Sequence, residues 1–125
     1  MKKEELLSYP VMTQAEMEEA LKTAVLQTRF SMSRFGRGFK HIFSTGNFYT
    51  EASNNQWTNG FWTGQLWLSY ECTKDEEMKQ TAFAHVDDFR YRIENQIETD
   101  THDLGFLYTP SCVAVSYTHL TLPTT

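Results

Sequence analysis

The sequence predicts an all-α chain assembled from helical hairpins, and three observations carry that reading. Two long stretches repeat apolar residues at helical spacing, two others are apolar almost all round, and the two kinds alternate along the chain. No run of alternating apolar and polar residues reads convincingly as a strand before residue 115.

The first start signal is Thr13-Gln14-Ala15-Glu16, a capping box with Thr13 as N-cap and Glu16 three residues on; Met12 and Met17 are placed as a hydrophobic staple. Met17, Leu21, Ala24, Val25, Met32 and Phe35 then follow helical spacing, with Glu18, Glu19, Lys22 and Gln27 on other faces, so an amphipathic outer helix is expected to end at Gly36. Residues 36–58 carry Gly36, Gly38, Gly46 and the run Ser53-Asn54-Asn55-Gln56, and are expected to form a long loop of the kind that holds function. A second helix starts at Thr58 or Asn59 and runs through Tyr70 with apolar residues on every side, the mark of an inner helix. Thr73-Lys74-Asp75-Glu76 reads as another capping box, ahead of a buried stripe of Met78, Ala82, Val86, Phe89, Ile93 and Ile97. Asp87 and Asp88 fall on the solvated side of that helix. The apolar segment from Leu104 to Ala114 is again of inner type, with Pro110 suited to a first helical turn behind Thr109.

Composition excludes several function classes. The 125 residues are 40% hydrophobic and 14% aromatic, which suits one packed domain rather than a disordered tail. Eleven Lys and Arg against 16 Asp and Glu leave a net charge of -5, so no basic footprint points to nucleic acid or an anionic membrane surface. No apolar run approaches the roughly 18–20 residues of a membrane span, and the N-terminus lacks the apolar core of a signal peptide. Cys72 and Cys112 are too few for a disulfide scaffold and read as buried thiols in a reducing compartment, so a cytoplasmic location is expected. His41, His85, His102 and His119 are dispersed and no CxxC pair or phosphate-cradling loop occurs; no metal and no cofactor are expected.

If each hairpin pairs an outer with an inner helix in antiparallel fashion, both inner helices start at the same end of the stack. The loops before them then meet, bringing Asn54, Asn55, Trp57, Asn59, His102 and Asp103 to one face. Trp67 reads as core. Trp57 lies among amides and hydroxyls, where an indole face can stack on a sugar ring, although composition alone favours packing for it. Asp103 before a helix is either an N-cap or an acid/base group, and His102 beside it either a surface residue or a pocket residue. A single carboxylate does not make a glycosidase.

Trp57-Thr58-Asn59-Gly60-Phe61-Trp62-Thr63-Gly64-Gln65-Leu66-Trp67-Leu68-Ser69-Tyr70-Glu71, followed by Asp100-Thr101-His102-Asp103-Leu104-Gly105-Phe106-Leu107-Tyr108, resembles the N-terminal part of the unsaturated glucuronyl hydrolases, glycoside hydrolase family 88, over roughly residues 12–114. The resemblance implies an (α/α)6 barrel roughly three times this length, of which residues 1–114 would be the N-terminal part. It implies a substrate with a 4,5-unsaturated uronic acid at the non-reducing end of an oligosaccharide left by polysaccharide lyases. The implied reaction is hydration of the vinyl ether: an aspartic acid protonates C4, water adds at C5, and the hemiketal opens to release the remaining sugar. By the same resemblance Asp103 is the first active-site aspartate, His102 the histidine beside it, and Trp57 the tryptophan against the uronate ring. The family's proton-donating aspartate belongs to a later motif that this chain does not contain, so the 125 residues alone are expected to be inactive.

An unsaturated rhamnogalacturonyl hydrolase and a noncatalytic helical-repeat binding module are the alternative readings. The tail adds a further expectation. From Leu104 onward there is no Asp, Glu, Lys or Arg, and Val115 to Thr125 abandons helical periodicity for a Thr-rich string that resembles a translated sequencing adapter. Residues 115–125 are therefore expected to be foreign to the domain.

Overall fold

A computed structural model of the chain describes residues 1–116. A short helix, α1 (Lys3–Ser8), which the periodicity does not announce, precedes α2 (Gln14–Phe35). Both arms of the expected capping box form at the start of α2: the Glu16 amide donates to Thr13 Oγ1 at 3.2 Å, and the Thr13 amide to Glu16 Oε2 at 2.8 Å. The helix stops where Gly36 adopts a positive φ of 55°, its amide donating to the Met32 carbonyl at 2.8 Å. Val25, Thr28 and Phe35 form the buried face. Met12, Met17 and Leu21 remain about half exposed, as do Leu26 and Phe30.

The segment expected as a loop contains a hairpin. β1 (Phe39–Thr45) pairs antiparallel with β2 (Phe48–Ala52), Phe39 opposite Ala52 and Thr45 opposite Phe48, with an irregularity between Lys40 and Ser44. Gly46 and Asn47 both take positive φ, as a two-residue hairpin turn requires. Most side chains here are exposed or half-buried and only Phe39 is buried, so alternation was too weak to read. The base is fixed by a buried histidine. His85 Nε2–H donates to the Arg37 carbonyl at 3.0 Å, which leaves Nδ1 to accept from the Thr63 hydroxyl at 2.9 Å, and the ring stacks on Phe39 at 4.3 Å.

The inner helix is α3 (Asn59–Thr73), and α4 (Glu76–Glu94) packs beside it. The start of α4 differs from the expected capping box: Asp75 is the N-cap, its carboxylate accepting from the Glu77 amide at 3.0 Å. Thr73 instead closes α3, donating to the Ser69 carbonyl at 2.8 Å and accepting from the Asp75 amide at 3.1 Å. Met78, Ala82 and Phe89 of the predicted stripe are buried, while Ile93 is exposed and its place is taken by Arg92. Asp87 and Asp88 are exposed.

The last segment is not one regular α-helix. α5 (Leu104–Tyr108) passes directly into a π-helical turn, Thr109–Val113, and a 3₁₀ turn, Ala114–Ser116, with no fresh start at Thr109. Pro110 has no amide to give to the preceding turn, and the helix widens there.

Trp62, Leu66, Trp67, Met78, Ala82, Phe89 and Leu107 form the core, each large side chain contributing about 1.5–3 kcal/mol by leaving water. Trp67 is core as expected, and its indole donates to the Ser111 carbonyl at 2.8 Å. Val115, the first residue of the expected foreign tail, is also buried; residues 117–125 lie outside the described part. Cys112 is half-buried and Cys72 exposed, so the expectation of two buried thiols fails at Cys72. Two glycines let α3 meet the final segment closely. A Cβ on Gly60 would collide with the backbone of Phe106 and Leu107, and one on Gly64 would lie 2.9 Å from Pro110 Cβ. That approach brings the loops ahead of α3 and α5 together.

Candidate active site

The two loops do meet. Asn55, Gln56 and Trp57 from the loop before α3 and Thr101 and Asp103 from the loop before α5 line one cavity of about 360 Å³, with Arg92 of α4 between them. Trp57 is 43% exposed, its ring held edge-on by Phe61 of α3 at 6.2 Å and by Phe106 of α5 at 6.1 Å. Phe61 and Phe106 are 5.6 Å apart, so three aromatic rings tie the two loops.

Asp103 is not a side-chain cap for α5. Its carbonyl accepts from the Phe106 and Leu107 amides at 3.0 and 3.2 Å, which starts the helix while leaving the carboxylate uncommitted to it. The carboxylate side chain is 18% exposed, with Oδ2 3.5 Å from the Thr101 hydroxyl and Oδ1 3.5 Å from His102 Nε2. Thr101 also accepts from the Asp103 amide at 3.2 Å, which fixes the loop. His102 reaches Asp103, but its side chain is 95% exposed and does not line the cavity.

Asn54 and Asn59 act from behind the cavity wall. Asn59 Nδ2 donates to Asn54 Oδ1 at 2.9 Å and to the Ser53 carbonyl at 3.3 Å, clasping the loop to the first turn of α3. Sequence reasoning missed the residue that organises them. Arg92 is only 1% exposed and donates to the Gln56 carbonyl at 3.0 Å, the Ile97 carbonyl at 3.1 Å and Asn54 Oδ1 at 3.3 Å. Burial lowers its pKa, and the neighbouring Tyr108 and Glu98 act to raise it. The same burial raises the pKa of Tyr108, against the pull of Arg92. A signal existed: Arg92 lies three residues after Phe89, on the apolar stripe of α4, where an ionised side chain needs partners. Gln56 was also read only as part of a polar run; its Oε1 accepts from the Ile42 amide at 2.7 Å and anchors the hairpin to the site.

The result is a half-open pocket with an aromatic wall, a carboxylate and a buried cation. This set suits a polar ring carrying negative charge. Among the described residues no group of three or more His, Cys, Asp or Glu is arranged to hold a metal ion.

No protein-family profile matches the chain. It is 44% identical over 108 residues to an unsaturated chondroitin disaccharide hydrolase of Streptococcus agalactiae, covering 86% of this chain and 27% of that protein. Over these residues the chain is homologous to the unsaturated glucuronyl hydrolases. An enzyme of that name from Bacillus sp. is 39% identical over 97 residues, covering 78% of this chain and 26% of its own. The crystal structure of the unsaturated glucuronyl hydrolase from Streptococcus agalactiae superposes with a TM-score of 0.84 at 42% identity, over 90% of this chain and 28% of that one. A variant of the same enzyme has been solved in complex with dGlcA-GalNAc6S. The chain thus spans a little over a quarter of the length of the curated relatives it matches. The mainly helical architecture agrees with the α/α-barrel fold of these neighbours. Among the described residues no helix is long and apolar enough to cross a membrane.

Proposed function

We propose that these residues are part of an unsaturated glucuronyl hydrolase that hydrates the 4,5 double bond of the unsaturated uronic acid in lyase-generated oligosaccharides. The observation that carries the reading is the convergence of Trp57 and Asp103 on one cavity from loops 46 positions apart in sequence. Asp103 holds sugar hydroxyls and supports the proton-donating aspartate supplied from elsewhere in the parent protein; Trp57 packs on the uronate ring; His102 stands at the rim. In the reaction a proton is added at C4 and hydroxide from water at C5; the hemiketal opens by breaking the bond from C5 to the ring oxygen, giving a C5 ketone, and the hemiacetal left at C1 then collapses to an aldehyde, its hydroxyl proton passing to the departing oxygen of the leaving sugar. The exposed apolar faces of α2 and α3, with Leu21, Leu26 and Leu68 in solvent, support a parent with further helices packed there. On this reading residues 1–114 belong to the hydrolase domain, residues 115–125 do not, and the enzyme works in the cytoplasm on oligosaccharides.

The test is the loss of the substrate's ultraviolet absorbance. The parent protein, expressed from its uninterrupted gene, is expected to consume an unsaturated chondroitin disaccharide, and the 125-residue chain alone is not. Turnover by the short chain would overturn the division of the active site, and an inactive parent would overturn the assignment. Reading the genomic sequence past codon 114 tests the boundary.

A further inference from the structure

The loops that carry Trp57 and Asp103 meet at a second point besides their aromatic contact, and it lies behind the cavity. There Arg92 sends donors in two directions. Its Nη1–H donates to the Gln56 carbonyl at 3.0 Å, one residue before Trp57, and its Nε–H to the Ile97 carbonyl at 3.1 Å, six residues before Asp103. The Ile97 amide in turn donates to the Arg92 carbonyl at 2.9 Å, so Arg92 grips both polar groups of Ile97.

The turn held in this way adopts a conformation that its sequence disfavours. Gln96 and Glu98, on either side of Ile97, take φ of 53° and 48°, left-handed values that residues with a Cβ rarely adopt. Two such residues within three positions persist only where the surroundings over-determine the backbone, and such strain gathers at functional sites. The turn also reaches the site itself: Glu98 and Thr101 line the cavity beside Asp103.

We propose that Arg92 is a positioning residue of the hydrolase: it clamps the turn at Ile97 to the loop at Gln56 and thereby sets the gap between the Trp57 ring and the Asp103 carboxylate into which the uronate fits. A guanidinium suits this task. Its donors are fixed in one plane and point apart, so holding one carbonyl fixes the direction in which the other is held; a lysine ammonium on its flexible stem transmits no such direction. Arg92 is 1% exposed, so its action on a bound ring runs through the two loops. The use of the gap rests on the hydrolase reading; the clamp rests on the hydrogen bonds and the left-handed turn.

The experiment labels the parent protein with fluorotryptophan, follows the Trp57 and Trp67 signals by fluorine NMR, and assays the same samples on an unsaturated chondroitin disaccharide. Gln96 is exposed, so substitutions there spare the core. Gln96→Val places a β-branched residue at a positive φ; it is expected to move the Trp57 signal and to lower kcat/KM about tenfold or more, with the Trp67 signal in place. Gln96→Gly accepts that φ and should leave both at their wild-type values. In Arg92→Lys the clamp is already open, so adding Gln96→Val should move the Trp57 signal and kcat/KM no further, whereas independent structural roles would let the two effects add. Additive effects, or a Trp57 signal that does not respond to Gln96→Val, would overturn the proposal. If Arg92→Lys fails to fold, the contrast between Gln96→Val and Gln96→Gly decides, and equal Trp57 signals in the two would overturn it. The fluorine signals do not depend on turnover, so an inactive parent would refute the hydrolase reading without deciding the clamp.

Discussion

Arg92 Nη1 donates to Asn54 Oδ1 at 3.3 Å, and this one bond sets the polarity of the loop ahead of α3. A guanidinium has donors only, so the oxygen of Asn54 must face it. Asn59 is then obliged to present its nitrogen to the same oxygen, at 2.9 Å, which turns Asn59 Oδ1 away, with no hydrogen-bond partner among the described residues. A buried charge on α4 thus orients two amides that lie 38 and 33 positions before it in the chain.

Replacing that charge should therefore unfasten the site. Arg92→Leu takes the side-chain donor from the Ile97 carbonyl and one of two donors from both the Gln56 carbonyl and Asn54 Oδ1, which keep the Asn59 amide and side chain, and about 2–4 kcal/mol of stability should be lost in urea denaturation. A loss below about 0.5 kcal/mol would mean that water replaces the guanidinium freely.

The pH dependence follows from His85. Burial, opposed by its bond to the Arg37 carbonyl and reinforced by the Arg37 charge, lowers its pKa from 6.5 to about 4. Between those values the unfolded chain binds the proton and the folded chain does not, so stability falls as pH falls through this window. The loss levels off below about pH 4 at a magnitude on the order of 3 kcal/mol. Thermal unfolding at pH 7, 5.5 and 4.5, with an NMR titration of the His85 ring, checks this; titration near 6.5 would contradict it.

Gly60→Ala tests the close approach that joins the two loops. Its Cβ meets backbone rather than a movable side chain, so α3 and α5 must separate, at a cost of about 1–3 kcal/mol or more. The Trp57 fluorescence should shift in parallel as the contact with Phe106 opens; an unchanged melting temperature would refute the constraint.

Trp57 and Trp67 should divide function from stability. Trp67→Ala removes a fully buried ring and its bond to Ser111, and is expected to cost about 3–5 kcal/mol. Trp57→Ala, at a half-exposed ring, should cost about 1 kcal/mol or less while raising KM in the parent enzyme. Comparable destabilisation by both would make Trp57 a packing residue.

Helix order, the caps at Thr13 and Gly36, and the meeting of the two loops were legible because each follows from local pattern or simple up-down topology. The hairpin was not. Its one available sign was Gly46-Asn47 between Thr45 and Phe48, outweighed by the polar run that follows. Thr73 misled because two capping signals overlap, and the Asp75 carboxylate is the one that caps α4. Arg92 went unseen because periodicity marks faces as apolar and does not say which polar residue on such a face will be satisfied. Asp103, Trp57 and His102 were gathered to one face by topology, and only their roles came from the family resemblance. Residue patterns alone favoured a structural explanation, a cap or a packed ring, over the functional one.

The most direct test of the proposed site is the rate at which the parent enzyme and its Asp103→Asn variant bleach the ultraviolet absorbance of an unsaturated chondroitin disaccharide. The parent should turn the substrate over, and the variant should be slower by about 100-fold or more with an unchanged circular dichroism spectrum. A variant as fast as the parent, or a parent with no activity at all, would contradict it.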